Sequence, residues 1–296
     1  MDKVFSDKKA ICFFVLPALI FFLLIVFIPI FMSVYYSFLD WDGIGVGKFV
    51  GLKNYIYLFT NKNSIFWKAA KNSFLYALVS LFIQLPISLI IALILAWGVK
   101  HENFYRSIYF IPVIISSVVI GQLWMKIYNT DYGLLNALLR AVGLENKCHM
   151  WLGDKKYVLG ATFVPMLWQY VGYHMLLMYG AIKGISPEIF EAAKIDGSGP
   201  VRTSFRITIP LIKPMIRVCM IFSLIGSLKI FDLVYILTNG GPAGASEVPA
   251  TLMYKTIFLR NKYGQGSAIA VFIVVECLLF TLAIQKLFSM RNSDEN

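Results

Sequence analysis

Residues 10–39 contain no charged side chain. That run exceeds the roughly 20 residues that carry a helix across the hydrocarbon core of a bilayer. It is too long for the core of a cleavable signal peptide, and no A-x-A site follows it. It reads as a first membrane span, kinked near Pro17 or Pro29. Four more apolar runs lie at 72–99, 107–125, 157–182 and 263–285, the last interrupted by Glu276. Another, 215–237, is broken by Lys229 and Asp232 but is otherwise long enough. With the first, these make six spans. Inside a bilayer every backbone N–H and C=O must be satisfied within the protein, and runs of this length do so as helices. The expected fold class is all-α, a polytopic membrane protein with six transmembrane helices.

Composition closes off the soluble alternatives. The sequence is 58% hydrophobic and only 15% charged, with a mean hydropathy of +0.71, far more apolar than a soluble globular domain. A net charge of +11 would suggest nucleic acid in a soluble domain. Here the basic residues are scattered through short loops, where they set topology and meet lipid headgroups. Membrane lipid is therefore an expected partner and nucleic acid is not. Cys12, Cys148, Cys219 and Cys277 are far apart and give neither a disulfide framework nor a metal spacing. His149 adjoins Cys148, and two adjacent residues do not make a metal site. The sequence contains no H-E-x-x-H, G-x-S-x-G or G-x-x-x-x-G-K-[ST]. No catalytic residue or metal ligand is assigned, the chain is not read as an enzyme, and ATP chemistry would have to come from another polypeptide.

The connection at 184–214, GISPEIFEAAKIDGSGPVRTSFRITIPLIKP, has the marks of two short helices rather than a turn. Ser186 suits an N-cap, Pro187 the first helical position, and Glu188 the positive helix end. Gly197 can close the first helix in a left-handed cap. Ser198 or Gly199 can cap a second helix that begins at Pro200 and is expected to stop at Pro210. On that helix Val201, Phe205 and Ile209 recur every four residues as an apolar stripe, with Arg202 and Arg206 on another face.

At these residues a resemblance becomes specific. Glu191-Ala192-Ala193, Asp196-Gly197 and Ile207-Thr208-Ile209-Pro210, with their spacing, resemble the EAA loop of permease subunits in binding-protein-dependent ABC importers. The match departs mildly, with Ser198 where Ala is commoner and Ile209 where Leu is. The resemblance implies a type I ABC importer permease fold whose EAA loop at 184–214 acts as a cytoplasmic coupling helix. Glu191, Ala192, Ala193, Asp196, Gly197 and Pro210 would then dock an ATPase, the small residues allowing close backbone approach and the carboxylates meeting a basic surface. Two further phrases extend it. Residues 49–55, FVGLKNY, resemble a phrase that sugar-type permeases carry after their first span. Residues 231–242, FDLVYILTNGGP, resemble the F-D-x-x-x-x-L-T-x-G-G-P phrase of carbohydrate-importing members. The resemblance thus covers nearly the whole chain.

It implies a membrane-spanning half of an ATP-driven importer of oligosaccharide or related carbohydrate. The implied partners are a second, homologous permease, an ATPase dimer holding ATP and Mg, and an extracytoplasmic sugar-binding protein, with no cofactor in this chain. The location implied is a bacterial or archaeal cell membrane. The chain divides into 1–71, a first helix with an extracellular segment, and 72–290, the permease core. Inner and outer segments hold similar numbers of Lys and Arg, but the inner ones are shorter and so denser in charge, which agrees with both termini being cytoplasmic.

Candidate solute contacts come from the spans. Met166, Gln169, Tyr170, Tyr173 and His174 are three or four apart and share a helical face. If that span starts near Tyr157, a rise of ~1.5 Å per residue puts Gln169 about 18 Å deep, near mid-membrane. Rings that stack on sugar C–H faces and an amide that replaces water at hydroxyls suit a carbohydrate, and the same stripe suits helix packing equally well. Gln169, Tyr170 and Tyr173 are the candidates. Asp232, three residues from Lys229, could pair with it on one helix face. Glu276 lies several turns from either end of its run and needs a partner, either Lys229 or a residue from another subunit. A self-contained ion-coupled transporter using Glu276, Asp232 and Lys229 is the alternative, though six spans without an inverted repeat are few for one.

Overall fold

The computed structural model describes residues 8–61 and 64–293. All six apolar runs are largely helical. In chain order α1 occupies 8–37, β1 Leu39–Asp40, β2 Lys48–Phe49, α2 Lys53–Thr60 and α3 Phe66–Ala96. They are followed by α4 Glu102–Ile114, α5 Ser117–Ile127, α6 Leu134–Ala141, α7 Val158–Lys183 and α8 Pro187–Ile195. Then come α9 Pro200–Leu211, α10 Lys213–Leu228, α11 Asp232–Thr238, α12 Pro249–Tyr254 and α13 Tyr263–Ser293. Within α1, α3 and α13, Phe13–Ser37, Phe66–Ala96 and Tyr263–Phe288 are long and apolar enough to cross a membrane. With 26 residues, α7 is about 39 Å long, and its Trp, Gln, Tyr and His side chains lower its hydropathy.

Two runs are broken. The 107–125 run bends by 97° between α4 and α5. Pro112 sits in the last turn of α4, Ile115 is extended, and Ser116 starts a fresh helix by accepting a bond from the Val118 N–H at 3.2 Å. The 215–237 run ends as a helix at Leu228 and restarts at Asp232, with Phe231 at φ −132° between them. Lys229 falls just past the end of α10 and Asp232 opens α11, so the two do not share a helix face.

Three helices carry a wide π turn two residues before a proline: Leu23–Phe27 before Pro29, Ser80–Gln84 before Pro86, and Ser204–Thr208 before Pro210. The cause is the same each time. A proline has no N–H and its ring crowds the carbonyl four residues back, so the preceding N–H reaches one residue further. Ile28 bonds to Leu23 O, Leu85 to Ser80 O and Ile209 to Ser204 O. The first-span irregularity thus belongs to Pro29, while Pro17 is accommodated within helix.

The chain divides into two compact units, Met1–Ser64 with Leu252–Val274, and Ile65–Thr251 with Val275–Asn296. In the first unit, the 13–37 stretch of α1 buries nothing in its most apolar window, as suits a surface turned to hydrocarbon. The FVGLKNY phrase fastens its end: Asn54 Nδ2 donates to Ser37 O and Leu39 O at 2.9 and 2.8 Å, and Tyr55 donates to Ser37 Oγ at 2.7 Å. Carbonyls left open at a helix end are satisfied by side chains.

The second unit is organised on α3 and α7. Leu85, Ala92 and Leu93 of α3 pack with Met175, Met178 and Ile182 of α7 and with Ile212 and Cys219. A second cluster joins Tyr76, Ile120, Met166, Leu233, Val234 and Val248, and a third joins Ala77, Leu224, Leu228 and Ile284. Hydroxyls bridge the helices, Ser88 donating to Val171 O at 2.9 Å, Tyr76 to Thr162, and Ser80 meeting Ser223. Small and hydroxyl residues at crossings are how helices associate where no hydrophobic drive remains. At Gly172 a Cβ would lie 1.8 Å from Tyr109 O, so α7 crosses α4 at a distance only glycine permits.

Candidate functional site

The 184–214 connection folds as the two-helix element its residues predict. Ser186 holds the N-cap position of α8 with an extended backbone, although its side chain makes no capping bond, and Pro187 begins the helix. Gly197, at φ +71°, donates to Lys194 O at 3.0 Å while Ser198 donates to Ala193 O at 2.9 Å. That pair of bonds is a Schellman cap with glycine in its left-handed place. Gly199 is the N-cap of α9 and Pro200 its first residue. Pro210 does not stop α9. It diverts the hydrogen bonding into the π turn, the helix runs on to Leu211, and the chain then turns by 73° into α10.

Of the six docking candidates, Glu191, Ala192, Asp196, Gly197 and Pro210 are exposed, and Ala193 is buried at 5%. Beside the carboxylates stand apolar side chains left uncovered by the described residues: Ile195 at 86%, Val201 at 61% and Phe205 at 68% exposure. Ile209, which the period assigns to the same stripe, packs into the core instead. The extra residue of the π turn displaces it from the Val201–Phe205 face. Behind the loop lies a cleft of about 390 Å³, walled by Leu93, Ala96, Ile182 and Phe190 and rimmed by Lys183, Glu191 and Lys194. An exposed apolar and small-residue surface flanked by charge has the make-up of a protein interface.

The α7 stripe is divided. Met166, Gln169 and His174 are buried, Tyr173 is half-buried and Tyr170 is 38% exposed. Gln169 Nε2 donates to Ser117 Oγ at 3.3 Å, and Gln169 Oε1 and His174 Nδ1 have no partner among the described residues. Gln169 thus ties α7 to the first residue of α5, just past the 97° bend. Ser117 is a contact that hydropathy did not reveal, although Ser116-Ser117 after a proline is a helix-start signal. Asp232 is exposed, at the start of α11. Glu276 is half-buried on α13, and its Oε2 has no partner among the described residues. The expected pairing of Glu276 with Lys229 is not formed.

The FDLVYILTNGGP phrase is a folded corner. Gly240 at φ +72° donates to Thr238 Oγ1 at 3.2 Å, Thr238 Oγ1 meets Ser246 Oγ at 2.7 Å, and Ser246 donates to Gly241 O. Asn72 Nδ2, from α3, donates to both Ala245 O and Glu247 O, at 3.0 and 2.8 Å. The role of Asn72 as anchor of a segment more than 170 residues away went unseen in the sequence.

Residues 8–293 match the family described as "Binding-protein-dependent transport system inner membrane component". The chain belongs to this family. The permease is 40% identical over 278 residues to a probable ABC transporter permease protein, YurN, of Bacillus subtilis strain 168, covering 93% of this chain and 94% of that one. It is 30% identical to the trehalose/maltose transport system permease protein MalF of Thermococcus litoralis, covering 97% and 96%. In fold it is similar to a chain of a bacterial ABC transporter involved in the import of the acidic polysaccharide alginate. That likeness has a TM-score of 0.81 and 22% identity and spans 96% of this permease and 98% of that chain. The helical fold with its two-helix loop is thus the fold of an ABC importer permease.

Proposed function

We propose that the permease is the membrane-spanning subunit of an ATP-driven importer of oligosaccharides or related carbohydrates. It forms half of the translocation path beside a second, homologous permease. The carrying observation is the 184–214 loop, whose exposed Glu191, Ala192, Asp196, Ile195 and Phe205 leave an interface without a partner among the described residues. In this reading an ATPase dimer, with ATP and Mg bound, docks there from the cytoplasm, both termini are cytoplasmic, and an extracytoplasmic binding protein delivers the sugar. The trehalose/maltose relative and the alginate-importing structure support a carbohydrate as solute. Tyr170 and Tyr173 offer rings at the edge of α7 for sugar stacking. Asp232 and Glu276 offer carboxylates to the path, and Gln169 borders it while tying α7 to Ser117.

The test is purification of the permease from its native membrane, followed by reconstitution of what accompanies it. The expected companions are an ATPase, a related permease and a binding protein. Uptake of labelled trehalose, maltose and alginate oligosaccharide is then measured with ATP present and the proton gradient collapsed. Uptake of at least one sugar under that condition is the expected result. Loss of all uptake when only the gradient is removed would favour ion coupling through Glu276.

A further inference from the structure

The short turn from α3 to α4 meets the 184–214 loop at two places, inside α9 and at the residue just before the loop. At its first residue, Trp97 Nε1 donates to Ser204 Oγ at 3.2 Å. Ser204 is buried and opens the π turn of α9. At its far side stands Glu102, the first residue of α4. Glu102 accepts a hydrogen bond from Tyr179 and pairs with Lys183 Nζ at 3.3 Å. Lys183 is the last residue of α7, and the loop begins at the next position. Between these two attachments lies the 390 Å³ cleft, lined by both Trp97 and Lys183. Over that stretch Ile185 and Phe190 of the loop pack against the α3–α7 core, and the turn adds polar attachments on either side of the cleft.

The second attachment is a cluster rather than a lone pair. Glu102 and Arg106 are one turn apart on α4, and Tyr179 and Lys183 are one turn apart on α7. Arg106 and Lys183 both lie over the Tyr179 ring, at 5.6 and 5.4 Å from its centroid. Two cations on one ring attract the ring and repel each other, and Glu102 is the carboxylate that offsets the repulsion. An exposed ion pair alone contributes little. Here removal of one carboxylate leaves two like charges facing each other at the root of the loop. The turn itself is tightly specified, with Gly98 at φ +88° and His101 at φ +64°.

We propose that the 97–102 turn is a clasp that positions the docking loop, with Trp97 and Glu102 as its positioning residues. The clasp sets the height and angle of α8 and α9 and so transmits ATPase movement to α7. This inference rests on the reading of the loop as the ATPase dock.

The test uses the whole complex reconstituted in lipid, with Mg-ATP as the only added ligand. Basal ATP hydrolysis is measured for Glu102→Ala, Glu102→Gln, Trp97→Phe and the swapped pair Glu102→Lys with Lys183→Glu. Glu102→Ala is expected to change the basal rate about fivefold, the size of one net hydrogen bond, with the ATPase subunit still retained. Glu102→Gln, which keeps an acceptor for Tyr179, should fall between, and the swapped pair should return toward the wild-type rate. Trp97→Phe keeps the ring and loses the donor, and it should shift the rate in the same direction as Glu102→Ala. Wild-type rates in Glu102→Ala and Trp97→Phe complexes of normal composition would overturn the clasp. If Glu102→Ala does not assemble, unchanged rates in Glu102→Gln and Trp97→Phe overturn it equally. If the wild-type preparation lacks an ATPase, the docking reading fails instead, so the two failures are distinct.

Discussion

Three buried asparagines carry much of the order in the segments between helices. Asn54 holds the end of α1, Asn136 bonds to Thr130 O, His149 O and Trp151 Nε1, and Asn72 holds the 238–251 corner. An amide that donates twice and accepts once can satisfy backbone groups a short loop cannot pair by itself. Asn72→Ala should lower the stability of the purified permease by ~1–3 kcal/mol, since two buried carbonyls lose their donors. Asn72→Asp, nearly identical in shape, should be at least as damaging, because a carboxylate offers only acceptors to two carbonyls. Thermal denaturation in detergent measures both, and an Asp variant more stable than the Ala one would refute the assignment. At Gly197 the question is which of two roles the glycine serves. Its φ of +71° favours Gly or Asn, and a Cβ there would meet nothing within 4 Å. Gly197→Asn should therefore cost the chain's own stability no more than about 1 kcal/mol, from the left-handed backbone alone, yet weaken retention of the ATPase, because the added bulk enters an interface. Retention at the wild-type level would show that the glycine serves the turn alone.

At the scale of elements, what hydropathy and motif spacing could read was helix and its ends. They placed the six runs and, from residues within one turn of one another, the left-handed cap at Gly197 and the proline starts of α8 and α9. They did not place the break after Ile115 or the gap at 229–231. Hydropathy averages over such breaks, and the local signals at Pro112, Ser116 and Phe231 compete with long apolar surroundings. The fate of Pro210 shows the same limit: a proline ends a helix or reroutes one bond, and the choice depends on whether Leu211 and Ile212 have something to pack on. Ile212 does, in the α3–α7 core. Pro210→Ala returns the missing N–H and should let the π turn relax to α. Losing the inserted residue rotates the Val201–Phe205 face by about 100° relative to α10. The variant should be as stable as the parent or slightly more so, since proline disfavours helix, yet retain the ATPase poorly. Comparing melting temperature with ATPase recovery from one preparation checks the pair of effects, and normal recovery would detach the π turn from docking.

For the molecule as a whole, the route of the solute turns on which side of α7 is wet. Periodicity put Gln169, Tyr170 and Tyr173 on one face but could not say where that face meets its neighbours, because adjacent residues lie about 100° apart on a helix. In the folded chain the boundary runs between Gln169, 3% exposed and bonded to Ser117, and Tyr170, 38% exposed. The two therefore make different predictions. Gln169→Ala removes a tie between α7 and the bent α4–α5 pair. It should lower stability by ~0.5–1.5 kcal/mol while leaving the order of preference among trehalose, maltose and alginate oligosaccharide unchanged. Tyr173→Ala removes ring surface from a half-buried position and should reorder those preferences, with some loss of stability from the buried part of the ring. Cysteine scanning separates the cases without a solute. With Cys12, Cys148, Cys219 and Cys277 replaced, a small water-soluble thiol reagent should label cysteine at 170 and 173 in the resting complex. A cysteine at 169 should resist unless nucleotide moves α7 away from Ser117. Rapid labelling at 169 with none at 170 or 173 would place the aqueous path on the other side of α7, and Tyr170 and Tyr173 would then be packing residues against the second permease.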